Sequence, residues 1–241
     1  MRKEKITIVL PAYNAAKTLE QTYAAIPKDW VDDVILVDDA SSDATVELSR
    51  SLGIYTVVHE KNLGYGGNQK TCYAQALARG ADVVVMVHPD HQYNPASIPE
   101  LVRPIIEGTA DAVFGSRMII RSQAIAGGMP YWKFFGNIFL TKIENSVLRL
   151  SLTEYHSGFR AYSRKALEAV PHTYYSNNFV FDTEMIVGLK IAKLRIKEIA
   201  IQTKYFPAAS MIGFLSSLRY ALSISWVMLR YLDGAYNLRS Q

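Results

Sequence analysis

The 241-residue chain has a single cysteine, Cys72, and no long uninterrupted hydrophobic run. One cysteine cannot form an internal disulfide, which excludes a disulfide-stapled scaffold and favours a reducing compartment. No stretch of about 20 apolar residues is free of charge, so no segment is predicted to span a membrane. The longest apolar tract, residues 211–232, is interrupted by Arg219 and Arg230. No targeting segment is expected at the start of the chain.

The chain also lacks a dense lysine and arginine run and any known nucleic-acid-binding motif, so no nucleic-acid partner is expected. Its net charge of +4 is unevenly distributed. Residues 1–115 carry 10 Lys and Arg against 15 Asp and Glu, whereas residues 116–241 carry 16 against 7. A metal-binding half followed by an anion-binding half is one interpretation. Chance variation between the halves is the other.

Short Val- and Ile-rich runs alternate with helical patterns in the first half, as in βαβ units. The runs are ITIVL, DVILVDD, YTVVH, DVVVMVHPD and DAVFGS. The helical patterns cover residues 15–26, 43–52, 66–79 and 97–107. Nearly continuous apolar runs are typical of strands buried on both faces of a mainly parallel sheet. HSGFRAYS and IKEIAIQTKYF add two expected strands. The predicted fold is therefore α/β, with a Rossmann-like sheet flanked by helices.

Two longer helices are predicted in the second half. The segment YWKFFGNIFLTKIENSVLRLS has an apolar stripe at helical spacing: Trp132, Phe135, Phe139, Ile143 and Val147. Such a stripe is more often part of a core than of a ligand site. A last helix, residues 213–232, has a broad apolar face, which is expected to pack on the domain, with a second subunit or a bilayer as alternatives. The expected division is a domain of residues 1–210 followed by an amphipathic helix and tail, 211–241.

Polar residues follow several of the predicted strands. In an open α/β sheet, ligands bind beyond the carboxyl ends of the strands. PAYN, DDASSD, HPDHQ and GSR follow the first, second, fourth and fifth strands, so acids, amides and an arginine should meet at one edge. Asp38 and Asp39 can accept hydrogen bonds from a ribose or a base. Alternatively, Asp39 starts a turn before a helix capped by Asp43.

His88, Asp90 and Gln92 alternate along an extended segment and can project to one side. An imidazole, a carboxylate and an amide oxygen suit Mn²⁺ or Mg²⁺, with phosphate oxygens filling the remaining positions. The alternative is an ordinary surface histidine beside a proline. The pattern alone predicts a divalent-cation site only weakly.

Two helix starts are further candidates. NLGYGGNQKT combines glycines, which allow close backbone approach, with a helix N-terminus, which favours an anion. A flexible loop before a helix explains it almost as well. Asp182 and Glu184 begin another helix, where carboxylates are common because of the helix dipole. They are candidate general bases only if they face the same cleft.

Seven motifs follow one another across nearly the whole chain: IVLPAYNAAKTLEQT, VILVDDASSDAT, EKNLGYGGNQKT, HPDHQYNP, GSRM, HSGFRAYSRKALE and FDTEM. Their order is more specific than any one of them, and together they resemble the motifs of the family-2 glycosyltransferases with the GT-A fold. The resemblance is strongest to the polyprenyl-phosphate mannosyl- and glucosyltransferase branch. It implies a GT-A-like sheet and inverting transfer from a nucleoside-diphosphate sugar to a polyprenyl phosphate. The alternatives are a saccharide or other hydroxyl acceptor, a sugar nucleotidyltransferase, and a non-catalytic nucleotide-sugar binder.

The resemblance also implies roles for individual residues. Those expected to bind the donor are Pro11, Tyr13, Asn14, Asp38, Asp39, Gly64, Asn68, Arg117 and Lys204. Those expected to bind the acceptor are Lys133, Asn137, His156 and Arg160. A divalent cofactor, Mn²⁺ or Mg²⁺, is assigned to His88, Asp90 and Gln92, and general-base catalysis to Asp182 or Glu184.

Three departures from the family pattern stand out. His88 replaces the usual first acid of the D-x-D metal motif. KYFPAAS replaces an R-x-x-G-x-S segment, so Lys204 would have to substitute for the arginine. No transmembrane pair is expected at the C-terminal end. The expected location is the cytoplasm, with peripheral attachment to the inner face of a membrane; an oligomer remains open.

Overall fold

The computed structural model describes residues 2–203 and 214–236, with the side chains of residues 214–216 excepted. Lys204 lies outside the described residues, so its expected donor contact stays a prediction. The strands are β1 (Ile6–Ala12), β2 (Asp33–Asp38), β3 (Tyr55–Val58), β4 (Val83–Met86), β5 (Ala112–Ser116), β6 (Arg160–Ser163) and β7 (Ile196–Ala200). The helices are α1 (Leu19–Ala24), α2 (Thr45–Ser51), α3 (Tyr65–Ala78), α4 (Ile98–Ile106), α5 (Arg121–Ala126), α6 (Tyr131–Leu148), α7 (Arg164–Ala169), α8 (Phe181–Ile191) and α9 (Phe214–Leu232).

The strands form one sheet in the order β3-β2-β1-β4-β6-β5-β7. β6 runs antiparallel to β4 and β5, and the other neighbouring strands are parallel. This confirms the mainly parallel sheet that the apolar runs predict, and the antiparallel β6 makes the sheet mixed. Because parallel strands share a direction, the polar segments after β1, β2, β4 and β5 lie at the same edge.

Two hydrophobic layers enclose the sheet, one on each face. Alternate residues of β1 enter opposite layers: Ile8 and Leu10 belong to one, and Val9 to the other. β3 differs from the expectation of strands buried on both faces, since Tyr55 and Val58 are each 44% exposed. β3 is an edge strand that pairs only with β2, so one side of it has no neighbour to cover it.

Helix α6 presents a different side to the protein from the one expected. Its aromatic stripe is open to solvent, with Phe135 and Phe139 each 64% exposed. The buried side instead includes Asn137, Thr141 and Glu144. Asn137 and Glu144 have hydrogen-bond partners from other elements, as buried polar groups usually do. Because the aromatic side chains are exposed, the expectation that their stripe faces the core is wrong.

Helix α9 packs on the domain through part of its circumference. Ile224, Val227 and Met228 are buried in the same hydrophobic cluster as residues of α3 and α8. This confirms the expected packing on the domain. A second apolar side remains exposed: Leu218, Leu222, Trp226, Leu229 and Leu232. No helix in the described ranges is long and apolar enough to span a bilayer.

Candidate functional site

A cleft of about 940 Å³ opens at the carboxyl ends of β1, β2, β4 and β5. Helices α6 and α9 form its opposite wall, through side chains such as Trp132, Lys133 and Tyr220. The cleft collects most of the residues selected from the sequence: Pro11, Tyr13, Asn14, Asp39, Gly64, Asn68, His88, Asp90, Gln92, Arg117, Lys133, Asn137, His156 and Asp182. Asp38, Arg160 and Glu184 do not line it.

The segment after β1 forms one rim of the cleft. Asn14 has a positive φ of 52°, a conformation that asparagine tolerates better than most residues. Its side-chain oxygen accepts a hydrogen bond from the backbone nitrogen of Ser42 at 2.9 Å, which ties the first strand end to the second. Tyr13, beside it, is 58% exposed and offers a flat ring at the rim.

The paired acids after β2 are both engaged within the protein. Asp38 is fully buried, and its Oδ2 accepts from the backbone nitrogen of Ser41 at 2.9 Å. Its Oδ1 has no hydrogen-bond partner among the described residues, and the expected donor contact of Asp38 stays a prediction. Asp39 reaches the cleft, but it accepts from the backbone nitrogens of Leu63 and Gly64 at 2.8 and 3.0 Å. Asp39 therefore shapes the glycine loop as well as the wall of the cleft.

The glycine loop before α3 fits closely against a neighbouring loop. Gly64 has φ of +84°, and a Cβ there would lie 2.6 Å from the backbone oxygen of Asn177. A larger residue is excluded both by conformation and by space. Asn68 is buried and donates to the backbone oxygens of Ala12 and Val37, at 3.3 and 3.0 Å. It thus fixes the start of α3 against the ends of β1 and β2.

Asp90 is the carboxylate of the predicted metal segment. Its Oδ1 accepts from the backbone nitrogen of Gln92 at 3.1 Å, and burial raises its pKa above the ordinary value. Within the described ranges Asp90 has no ion-pair partner among lysines and arginines. A divalent cation would supply the missing positive charge, so the donor set fits a metal. Residues 2–203 and 214–236 contain no cluster of three or more His, Cys, Asp or Glu that could hold a metal ion unaided.

His88 lies beside this carboxylate, between it and α3. Its Nε2 is 3.3 Å from the hydroxyl of Tyr65, and the two rings are stacked. Burial lowers the pKa of His88, so the imidazole is neutral at neutral pH. A neutral imidazole is a possible metal ligand.

Arg117, after β5, is clamped by a buried acid that the sequence analysis did not select. Glu154 pairs with its guanidinium and also accepts from its backbone nitrogen at 2.7 Å. Asn137 donates to the same carboxylate at 2.7 Å. Burial alone would raise the pKa of Glu154, but Arg117 and these hydrogen bonds hold it below its ordinary value. The positive charge of Arg117 is therefore neutralised within the protein by Glu154.

Lys133 stands on α6 in the same wall. Burial, with a further effect from Arg117, lowers its pKa to about 8. Glu154 opposes this shift without cancelling it, and an anion bound in the cleft would favour the charged ammonium further. Lys133 and Arg117 together make this wall suitable for a phosphate.

The two candidate bases on α8 point in different directions. Asp182 lines the cleft, where it accepts from Tyr65 at 2.8 Å and from Gln69 at 3.3 Å. Glu184 instead accepts from the backbone nitrogen of Ser176 at 2.6 Å and from the hydroxyl of Tyr236 at 2.9 Å. Glu184 thus anchors a loop and the end of the α9 region. Glu184 does not line the cleft that Asp182 enters, and its expected role as an alternative general base stays a prediction.

His156 and Arg160, the other two residues expected to bind the acceptor, lie in different surroundings. Burial lowers the pKa of His156 to about 3, so it lines the cleft as a neutral imidazole and not as a cation for phosphate. Its Nδ1 lies 3.3 Å from the hydroxyl of Tyr220 on α9. Arg160 is buried and donates to the backbone oxygens of Ser157 and Tyr155. Arg160 does not line the cleft, and its expected role in acceptor binding stays a prediction.

The most informative residues that the sequence analysis missed are Tyr65, Gln69 and Glu154. Tyr65 and Gln69 stand inside the quoted NLGYGGNQKT motif, so their position was visible while their partner, Asp182, was not. Burial raises the pKa of Tyr65 well above its ordinary value, which keeps the phenol protonated. Glu154 gave no pattern signal, because its role depends on a partner 37 residues away.

These features define an α/β protein with a cleft for an anionic ligand at the strand ends. A sequence model described as glycosyl transferase family 2 matches residues 7–170. The chain belongs to that family.

Named relatives agree with this membership. A Methanococcus voltae protein, the UDP-N-acetylglucosamine–dolichyl-phosphate N-acetylglucosaminyltransferase, is 29% identical over 222 residues, covering 85% of this chain and 88% of that protein. The glycosyltransferase AglD of Haloferax volcanii is 30% identical over 213 residues, covering 82% of this chain but only 32% of that longer protein.

A solved structure supports the fold. Glucosyl-3-phosphoglycerate synthase from Mycobacterium tuberculosis, crystallised with Mn²⁺, UDP-glucose and phosphoglyceric acid, superposes with a TM-score of 0.72 at 18% identity. The match covers 96% of this chain and 80% of that one. At this identity the likeness establishes the fold alone, and it confirms the GT-A-like architecture.

Proposed function

We propose that this glycosyltransferase transfers a sugar from a nucleoside-diphosphate sugar to a polyprenyl phosphate at a membrane surface. The observation that carries the proposal is the single cleft in which Asp90, Arg117, Lys133 and Asp182 meet. On one side stands the carboxylate of Asp90, which has no lysine or arginine partner within the part of the chain that the structure describes, and basic side chains stand on the other. That division matches a donor diphosphate held through a cation and an acceptor phosphate held directly.

The donor would lie against the strand ends. Tyr13 and Asn14 form the rim for the nucleoside, and the backbone around Gly64 leaves room for close approach. Asp90, with His88 and Gln92, would hold Mn²⁺ or Mg²⁺, which when bound supplies positive charge to the leaving diphosphate. The Mycobacterium tuberculosis enzyme also has structures with Mn²⁺ or Mg²⁺ and UDP, which supports this assignment.

The acceptor would lie against α6. Lys133 and Asn137 are adjacent on the buried side of this helix, and Arg117 is close enough to Lys133 to lower its pKa. An acceptor phosphate is already ionised, so it needs positioning more than deprotonation. Asp182, with Tyr65 and Gln69 already donating to it, is suited to orienting groups in the cleft. The relative from Methanococcus voltae, which by its name uses dolichyl phosphate, supports this acceptor class.

The outer surface beside the cleft fits a lipid environment. Trp132 and Phe139 of α6 and Leu218 of α9 line the cleft mouth, and all three are exposed. The exposed apolar sides of α6 and α9 continue from this mouth. Apolar and aromatic side chains on a basic amphipathic helix favour binding in the headgroup region of a bilayer. A peripheral location on the cytoplasmic membrane face is part of the proposal.

The direct test is a transfer assay with purified protein, a panel of nucleoside-diphosphate sugars, and a short-chain isoprenyl phosphate. UDP-N-acetylglucosamine is the first donor to try, and mass spectrometry would detect the glycosylated isoprenyl phosphate. The expected result is product formation that stops on chelation and resumes with Mn²⁺ or Mg²⁺. Transfer to a saccharide but not to the phosphate would contradict the acceptor assignment. Donor binding without any transfer or hydrolysis would favour a non-catalytic binder.

Membrane attachment has its own matched test. Phe135→Asp and Trp226→Asp place a charge on the exposed apolar sides of α6 and α9, whereas Val58→Asp places one on the distant edge strand. The affinity for anionic vesicles, measured by sedimentation, should fall about tenfold or more for the first two, because each variant removes a large apolar side chain that would enter the bilayer. Equal binding by all three variants would exclude these helices as the membrane contact.

A further inference from the structure

Tyr65, the first residue of α3, touches both the candidate metal segment and the candidate base. Its hydroxyl donates to Oδ2 of Asp182 at 2.8 Å and lies 3.3 Å from Nε2 of His88. Its ring stacks on the imidazole of His88 at a centroid distance of 5.4 Å, with 17° between the planes. Phe179 packs on Tyr65 as well, at 4.8 Å. One phenol therefore bridges two groups that are 94 residues apart in the chain.

The hydrogen bonds of the Tyr65 hydroxyl determine which nitrogen of the His88 imidazole carries the hydrogen. A phenol has one hydrogen to donate, and a carboxylate can only accept, so the hydrogen of Tyr65 goes to Asp182. The oxygen of Tyr65 can then only accept from Nε2 of His88. In a neutral imidazole one nitrogen carries hydrogen and the other a lone pair. Nε2 is consequently the protonated nitrogen, and the lone pair is on Nδ1.

Gly158 restrains the same edge of the ring. A Cβ at Gly158 would lie 2.7 Å from both Cδ2 and Nε2 of His88 and 3.4 Å from the hydroxyl of Tyr65. The Cδ2–Nε2 edge of the His88 ring therefore packs against the backbone of Gly158, where no side chain larger than a hydrogen atom fits. Nδ1 belongs to the opposite edge of the imidazole. No described residue forms a hydrogen bond with Nδ1, and His88 lines the cleft beside Asp90.

We propose that Tyr65 is a positioning residue that fixes His88 in its Nε2–H tautomer, leaving Nδ1 as the ligand atom for a divalent cation. The same hydroxyl orients the carboxylate of Asp182, so one side chain aligns the metal side and the acceptor side of the cleft. The cation half of the proposal rests on the proposed function. In metal sites, the hydrogen bond made by the second ring nitrogen commonly sets the tautomer and orientation of a histidine ligand.

The tautomer can be measured on the metal-free, full-length protein. Long-range ¹H–¹⁵N correlation spectra distinguish the two nitrogens of each imidazole, and His88→Gln assigns the His88 signals. The wild-type protein should show Nε2–H. Tyr65→Phe keeps the ring between His88 and Phe179 but removes the hydroxyl, and should give mixed or reversed protonation. Tyr55→Phe, on the exposed edge strand, is the matched control and should leave the His88 signals unchanged.

A second readout is the affinity for Mn²⁺ in the presence of UDP, followed by electron paramagnetic resonance. Tyr65→Phe should weaken Mn²⁺ binding on the order of 10–100-fold, the range typical of outer-shell partners of a ligand histidine. His88→Ala should weaken it at least as much. In the double variant the loss should not exceed that of His88→Ala, because Tyr65 acts on the metal through His88. Tyr55→Phe should bind as the wild type does.

Each outcome decides the proposal. An Nδ1–H signal in the wild-type protein would overturn it, as would an unchanged tautomer in Tyr65→Phe or additive losses in the double variant. If Tyr65→Phe fails to fold, the wild-type spectrum still decides the tautomer. A wild-type protein that binds neither Mn²⁺ with UDP nor any nucleotide sugar would refute the proposed function. The spectra of the metal-free protein would still decide the role of Tyr65 towards His88.

Discussion

The depressed pKa of Lys133 makes the proposed acceptor site sensitive to pH in a calculable way. Burial and Arg117 lower this pKa to about 8 in the empty cleft. The ammonium is therefore mostly charged at pH 7, half charged near pH 8 and mostly neutral at pH 9. A phosphate bound beside Lys133 favours the charged form, so binding should raise the pKa and draw a proton from the solvent.

The expected magnitude follows from this titration. Near pH 8, binding of a short-chain isoprenyl phosphate should take up about 0.5 proton, since half of the lysines begin neutral and nearly all end charged. From pH 7 to pH 9 the apparent affinity should fall about tenfold, because only the charged fraction binds well. The second ionisation of a phosphate ester, at a pKa of about 6, lies below this window and does not interfere.

Isothermal titration calorimetry in two buffers of different ionisation enthalpy measures the proton uptake directly. Lys133→Arg is the control, because its guanidinium stays charged throughout the range and should abolish both the uptake and the pH dependence. Lys133→Met should bind weakly at every pH. Identical, pH-independent affinities for the wild type and Lys133→Arg would refute the placement of phosphate beside Lys133.

Four further outcomes are expected. Asp90→Ala should abolish metal-dependent donor turnover without lowering the thermal unfolding midpoint, and a wild-type rate would remove Asp90 from the metal site. His88→Asp should shift the preference from Mn²⁺ towards Mg²⁺, as a harder ligand does; an unchanged preference in activity titrations would count against His88 as a ligand. Glu184→Ala should cost about 1–3 kcal/mol in urea unfolding, because the buried hydroxyl of Tyr236 and the partly buried backbone nitrogen of Ser176 lose their acceptor, with turnover per folded molecule unchanged. Asp182→Asn should retain transfer to isoprenyl phosphate within about tenfold, whereas a loss of about 100-fold or more would indicate a general base and a hydroxyl acceptor.

The sheet and the edge that carries the cleft followed from local patterns. Nearly continuous apolar runs such as ITIVL and DAVFGS are typical of strands that are buried on both faces. Parallel strands place their carboxyl ends at the same edge of the sheet. The antiparallel insertion of β6 between β4 and β5 had no local signal. Strand pairing depends on which distant segments meet, and a strand's own residues do not specify its neighbours.

Helical periodicity identified the apolar side of α6 but not whether the rest of the protein covers that side. The aromatic stripe of α6 has the spacing of a core-facing side, yet the protein buries Asn137, Thr141 and Glu144 instead. Two of these polar groups have partners from other elements: Asn137 donates to Glu154, and Thr183 donates to Oε1 of Glu144. Because hydrogen-bond satisfaction overrides apolar patterning at such positions, only the folded chain revealed the exposed aromatic side.

The sequence likewise did not show whether Asp182 or Glu184 enters the cleft, although helix geometry indicates that only one of them does. Residues two apart on a helix do not face each other, so both carboxylates could not serve one cleft. Which of them did so depended on contacts from Tyr65 to Asp182 and from Tyr236 to Glu184. The first contact spans 117 residues and the second 52.

By itself, the sequence determined the α/β class, the edge that binds ligand, the family resemblance and most of the cleft-lining residues, because these depend on local pattern and ordered motifs. The tertiary structure decided which charged groups are already engaged within the protein. It pairs Arg117 with Glu154, commits Asp39 to the glycine loop and joins Tyr65 to His88 and Asp182. Hydrogen bonds and burial couple residues far apart in the chain, and only folding brings those partners together.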